Sequence, residues 1–205
     1  MLTAIWSYIE NALPFIVISL PLLIICRVAV NCFYAHRKTS VLRCVNFARE
    51  ICIIIFSLYA VGLASQTVIP KLVWEDRGFV IAETLHFTKY NFIAFVSIID
   101  CIEKIFLHQN MYYVIFLFGN IFIFAPIGCF CGIMMKKDKY RLLKAVCISC
   151  AVSVFIETVQ IFLDRMVDVD DVILNTLGGF IGYLLCICME KIFPGFRGKF
   201  RKYNE

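Results

Sequence analysis

"MYYVIFLFGNIFIFAPIGCFCGIMM", residues 111–135, carries no charged side chain. At about 1.5 Å per residue, a helix of this length crosses the roughly 30 Å hydrocarbon layer of a bilayer. Four more runs are of similar length and predominantly apolar, with one to three charges each. They are "ALPFIVISLPLLIICRVAVNCFY" near 11–34, "EICIIIFSLYAVGLASQTVI" at 50–69, "LLKAVCISCAVSVFIETVQIFL" at 142–163 and "DVILNTLGGFIGYLLCICMEKIF" at 171–193. The whole 205-residue chain is 61% hydrophobic, with 20 Phe and a mean hydropathy of +0.85. A water-soluble domain is closer to half apolar and has too little interior to hide this surface. The sequence therefore predicts an all-α, polytopic membrane helix bundle of about five transmembrane helices.

Charge gives the expected orientation. Arg27, Arg37, Lys38, Arg43 and Arg49 flank the first connection. Lys136, Lys137, Lys139, Arg141 and Lys144 flank the third, and Lys191, Arg197, Lys199, Arg201 and Lys202 crowd the tail. These clusters hold 15 of the 20 basic residues, whereas the connection after the fourth span holds only Arg165. The positive-inside rule places the N-terminus outside and the C-terminus in the cytoplasm. Arg27, inside the first run, is expected to snorkel toward headgroups, and Pro14 and Pro21 to kink that helix. The first run lacks a basic leader and a cleavage site, unlike a signal peptide. The expected organisation is 1–49 as a first span with a basic cytoplasmic loop, 50–193 as a membrane domain, and 194–205 as a basic cytoplasmic tail.

Two classes fall away. Basic residues in short juxtamembrane loops suit an anionic leaflet rather than nucleic acid. The eleven cysteines lie mostly in apolar runs, so they read as small buried side chains rather than a disulfide scaffold or a metal site. The connector 70–110 is long. Its second half is apolar but interrupted by Asp100, Glu103 and Lys104, which predicts an extracytoplasmic interfacial helix between spans two and three.

Polarity concentrates in "ETVQIFLDRMVDVDDVILN", residues 157–175. Glu157 and Gln160 share a helix face, and Asp164 continues it. Asp168, Asp171, Asn175, Gly178 and Gly182 step by three and four, as one stripe of the fifth helix. Gly178 and Gly182 form a GxxxG that admits a neighbouring helix, and Asn120, Pro126 and Gly128 stand near one face of the third span. By helical rise, Glu157, Asn175 and Asn120 lie roughly 9, 6 and 14 Å from the outer ends of their spans. Ionisable groups cost about 2.5–3.5 kcal/mol each in hydrocarbon, so these must pair or face a wet cavity. Arg165, one cation amid five acids, is expected to pair with one or two of them. Crowding is expected to keep at least one acid neutral near pH 7. Asp168 and Asp171 also fit the N-cap and first turn of the fifth helix.

The run Glu157-x-x-Gln160, then Arg165-x-x-Asp168-x-x-Asp171-x-x-x-Asn175-x-x-Gly178-x-x-x-Gly182, resembles the signature of the VanZ-like family. So do "GNIFIFAPIG" (Asn120, Pro126, Gly128) and "YNFIAFVSI" (Asn91, Phe95). Ala94 stands where that family often has proline, and Asp164 where glycine is common. The resemblance covers about residues 50–193. It implies a small multi-span protein of the bacterial plasma membrane, tied to low-level resistance to the glycopeptide teicoplanin.

Three readings follow. In the first, Asn120, Glu157, Gln160, Arg165, Asp168, Asp171 and Asn175 line an outer-leaflet polar cavity. Pro126, Gly128, Gly178 and Gly182 set its helix packing. Its partners are membrane lipids, a lipidated glycopeptide or a lipid-linked envelope precursor. In the second, the chain is a membrane-embedded enzyme acting on such precursors. Glu157 is then the acid or base, Asp168 and Asp171 hold a divalent cation or orient water, and Arg165 binds phosphate. His36, His86 and His108 all lie outside the cluster, and no HExxH, P-loop or GxSxG motif occurs. No cofactor or resident metal is expected. The third reading, a transporter, needs more spans than five, for instance from a homo-oligomer. The orientation has a direct check. Alkaline phosphatase fused after Gln109 is expected to be active and fused after Lys139 inactive, and the reverse pattern would invert the topology.

Overall fold

The computed structural model describes residues 2–37, 46–69, 72–75, 78–81, 90–136, 138–163 and 165–200. Lys38, Arg43, Lys137, Arg201, Lys202 and Asp164 of the expected charge pattern lie outside the described residues. The protein is an all-α membrane helix bundle. Its described helices are α1 (Leu2–Arg37), α2 (Phe47–Thr67), α3 (Val96–His108), α4 (Met111–Met134), α5 (Arg141–Phe162) and α6 (Val169–Ile192). Glu10–Phe33 of α1 and the whole of α2, α4, α5 and α6 are long and apolar enough to cross a membrane. These five spans fall within a few residues of the five runs read from hydropathy. Between α2 and α3 the backbone forms an antiparallel hairpin, β1 (Leu72–Glu75) with β2 (Gly78–Ile81). Hydropathy gave no sign of it.

The chain divides into two compact units, 1–66 with 187–205, and 67–186. In the first, α1 runs as one helix through Pro14 and Pro21. Arg27 is paired with α2. Its Nε and Nη2 donate to the two carboxylate oxygens of Glu50 at 2.8 and 2.9 Å. A bidentate carboxylate on the next helix satisfies a guanidinium carried by an apolar span. Asn46 precedes α2 and accepts the Arg49 N–H at 3.2 Å. Its amide donates to the carbonyl of Lys199, within the 3-10 turn Arg197–Phe200, at 2.7 Å.

In the second unit, α6 is the most buried span. It runs alongside α4 in the same direction, with backbone pressed on backbone. A methyl group at Gly178 would sit 2.3 Å from the Ile121 carbonyl oxygen, and one at Gly182 would sit 1.8 Å from that of Ala125. Gly128 of α4 returns the favour, because a Cβ there would lie 1.7 Å from the Gly179 oxygen. On its other side α6 meets α5 antiparallel, where Ser149 and Ser153 are fully buried and a Cβ at Gly179 would strike Ser149 Oγ at 1.9 Å. Small residues at such crossings gain dispersion contacts that larger side chains would forbid. The segment expected at the interface forms α3, and β3 (Tyr90–Asn91) ahead of it pairs in parallel with β4 (Val167–Asp168) at the α5–α6 connection.

Gly182→Ala inserts a methyl group where a carbonyl oxygen already stands. It is expected to destabilise the protein by about 1–3 kcal/mol or more. A lowered thermal midpoint in detergent checks this, with Gly119→Ala, which meets nothing within 4 Å, as the neutral control.

Candidate functional site

The α5–α6 connection sits where three separate segments bring their polar groups together. α5 ends when the Gln160 carbonyl accepts the N–H groups of both Leu163 and Arg165 at 3.1 Å. The chain then turns through β4 into α6. Glu157, one helical turn before Gln160, is only 7% exposed, and its Oε2 accepts the Asp168 N–H at 3.2 Å. Asp168 occupies the residue before α6, and its Oδ1 accepts the Asp170 N–H at 2.9 Å. This is the N-cap geometry that the spacing predicts. The same oxygen accepts from the Asn91 amide at 3.0 Å, and that amide also reaches Ser97 Oγ at 3.1 Å.

Asp170 makes the densest set of bonds in the cluster. Its carboxylate is 0% exposed and accepts three main-chain N–H groups: Phe95 at 2.5 Å, Ser97 at 2.8 Å and Ile98 at 3.0 Å. These belong to the first turn of α3, whose own preceding residue supplies no side-chain cap. A helix start leaves its first N–H groups without internal partners. Here a carboxylate from another helix accepts three of them and opposes the positive end of the helix dipole. Phe95 adopts φ 70°, a left-handed conformation rare for a bulky side chain. The Asp170 bonds hold it there. Cys101, on the buried side of α3, is a free thiol. Burial pushes its titration up, and the carboxylates of Asp100, Asp168 and Asp171 add to the effect against the pull of Lys104.

The remaining predicted residues divide between two helix contacts. Asp171 is half-buried and accepts from the Asn120 amide of α4 at 2.6 Å. Asn175 turns the other way and donates to Ser153 Oγ of α5 at 2.8 Å. The single stripe read from spacing is therefore two: Asp171, Gly178 and Gly182 face α4, whereas Asn175 and Gly179 face α5. Pro126 lies half-buried in the middle of α4. Gln160 contributes through its main-chain carbonyl. Arg165, expected beside the acids, donates to the carbonyls of Thr67 at 3.0 Å and Ile69 at 3.3 Å, at and just beyond the end of α2. Those carbonyls close a helix end that has no further turn to receive them, and a guanidinium fork fits two at once.

Sequence spacing left Asp170 without a role, because it falls between the positions of the 3–4 stripe. No signal marked it: Ser97 is an N-cap type of residue, and only the start of α3 one residue earlier, at Val96 after Phe95, leaves the cap to another segment. Among the described residues, no group of three or more His, Cys, Asp and Glu side chains is arranged to hold a metal ion. Asp170→Asn keeps the shape and weakens three charge-assisted bonds. It is expected to raise hydrogen exchange of the amides of 95–98 by about tenfold or more, while the amides of α4 and α6 stay protected. Unchanged exchange at 95–98 would remove the carboxylate from this role.

No curated protein and no solved structure matches the chain. The VanZ/LLP1 family model matches residues 51–190, which takes in Asn91, Asn120, Glu157 and the α5–α6 connection with its carboxylates. The chain belongs to the VanZ/LLP1 family.

Proposed function

We propose that the cluster around Glu157 and Asp171 binds the polar end of an amphipathic envelope molecule, from the outer leaflet of a bacterial plasma membrane. The molecule is a lipidated glycopeptide or a cell-envelope lipid, and holding it there gives low-level tolerance of teicoplanin. The observation that carries this reading is the near-complete burial of Glu157 within a membrane span, where its described bond is to the Asp168 N–H at the head of the helix that also carries Asp171. A carboxylate in that position is too costly to be incidental.

The cluster's own bonds suggest what it takes. Asp168 and Asp170 are engaged by main-chain and Asn91 N–H groups and organise the protein itself. Glu157 and Asp171 each accept one described hydrogen bond, which leaves a second oxygen on each. The free capacity is thus acceptor capacity, suited to hydroxyl, amide or ammonium groups on the ligand. The catalytic alternative asks Asp168 and Asp171 to hold a cation. The oxygen of Asp168 that accepts Asn91 and Asp170 already serves as the α6 cap, which favours binding over that arrangement.

Loss of one charge-assisted bond is worth about 1.5–3 kcal/mol, or roughly ten- to hundredfold in affinity. Glu157→Gln and Asp171→Asn, expressed at wild-type membrane levels, are expected to bring the inhibitory concentration of teicoplanin down to that of cells lacking the protein. Arg165→Ala is expected to act more weakly, through the end of α2. Wild-type tolerance in both carboxylate variants would refute the reading. Turnover of labelled lipid-linked precursors by the purified protein would replace it with the enzymatic one.

A further inference from the structure

The seam between α4 and α6 has chemistry at the end away from Asn120 and Asp171. Ala125 presses its carbonyl on Gly182, and further along Gly132 faces Cys186. A Cβ at Gly132 would lie 2.8 Å from both Cβ and Sγ of Cys186. Cys129 is four residues after Ala125 and three before Gly132, so it shares their face of α4. Gly178 meets Ile121 and Gly182 meets Ala125 four residues on, so the next step along both helices sets Cys186 against Cys129. Cys186 has no exposed surface and Cys129 is half-buried; both are free thiols. Two thiols from different helices thus stand at one level of the seam, where small residues bring the two backbones close. An ordinary disulfide needs a Cα separation of about 5.5 Å, and one turn away along the seam a Cβ at Gly182 would lie only 2.9 Å from the Ala125 Cα.

We propose that Cys129 and Cys186 are a membrane-embedded dithiol that a lipid-soluble quinone oxidises to a disulfide joining α4 to α6. In the reaction the two S–H bonds break and one S–S bond forms. Two electrons and two protons pass to the quinone, which leaves as the quinol. The surroundings select this class of oxidant. By helical rise the two residues lie about 8–9 Å inside the ends of their spans, with Cys186 sealed and Cys129 open only in part. Charged, water-borne oxidants such as glutathione disulfide do not enter hydrocarbon at that depth, whereas a quinone diffuses within it. The other end of the seam is the Asn120–Asp171 bond, so the disulfide would fix the two helices that meet beside Glu157. This inference does not depend on what the cluster binds.

The test uses full-length protein in phospholipid nanodiscs, treated either with a fully ring-substituted benzoquinone, which cannot add to thiols, or with glutathione disulfide. Free thiols are then blocked under denaturing conditions and the peptides mapped by mass spectrometry. The quinone is expected to remove two of the eleven reactive thiols and to yield a peptide linked through Cys129 and Cys186. Glutathione disulfide is expected to yield no such peptide. In Cys129→Ala, Cys186 is expected to survive quinone as a free thiol. The proposal is overturned if quinone oxidises the exposed Cys147 or Cys188 while the wild-type pair stays reduced. It is equally overturned if glutathione disulfide forms the link as readily, or if Cys186 is lost to the same extent in Cys129→Ala. The wild-type arms decide the matter even where the variant does not fold.

Discussion

A helix that begins where water is scarce must find acceptors for its first amide hydrogens, and in this protein the acceptor is the carboxylate of Asp170. That one group, itself without exposed surface, receives the N–H of Phe95, Ser97 and Ile98. Much else at this end of the bundle follows. The segment before α3 must lie against the start of α6, which is where β3 and β4 pair. Asn91 is then carried onto Asp168. A neutral acceptor of the same size would hold the amides less tightly, because the charge also opposes the dipole of α3.

α6 makes its other contacts through positions that have almost no side chain. Consecutive residues of a helix point about 100° apart, so Asp170 and Asp171 serve different partners, α3 and α4. Lower down, Gly178 and Gly179 do the same for α4 and α5. The helix therefore presents carboxylates at its first turn and bare backbone further along. That order follows from the solvent: near the headgroups a charge can be paired and hydrated, whereas deep in hydrocarbon close packing is the strongest attraction left.

The five spans were legible because an apolar run of 20 or more residues with few charges has few other fates, and the start of α6 because Asp168 is a capping residue at the right place. GxxxG spacing also marked the face that meets α4. What spacing did not disclose were contacts that depend on which neighbour stands opposite. Asn175 sits four residues from Asp171 and seemed to share its stripe, yet it bonds Ser153, because α6 is wedged between two helices and a polar side chain at the edge of a stripe turns to the nearer one. Arg165, read as a counter-ion, also reaches carbonyls at the end of α2 that lie 98 residues away along the chain and carry no sequence signal. Arg27 repeats the lesson: its partner Glu50 is identifiable only once α1 and α2 are side by side.

These contacts also sort the polar residues by kind. A carboxylate whose oxygens are filled by main-chain amides is part of the architecture: removing it loosens the fold, and no ligand can compete for it without unfolding something. Asp170 is of that kind, and Asp168 largely so. Glu157 and Asp171 are different, because each is tied by one described bond to the part of the protein that positions it and keeps another oxygen. In water such spare capacity would be satisfied by solvent and mean little. Inside a span it is an unmet cost in every state in which nothing else approaches, and occupation by a donor would relieve it. The gradient from Asp170 to Glu157, from saturated to unsaturated, is thus the physical reason to seek the ligand beside Glu157 and Asp171 rather than at the most buried acid.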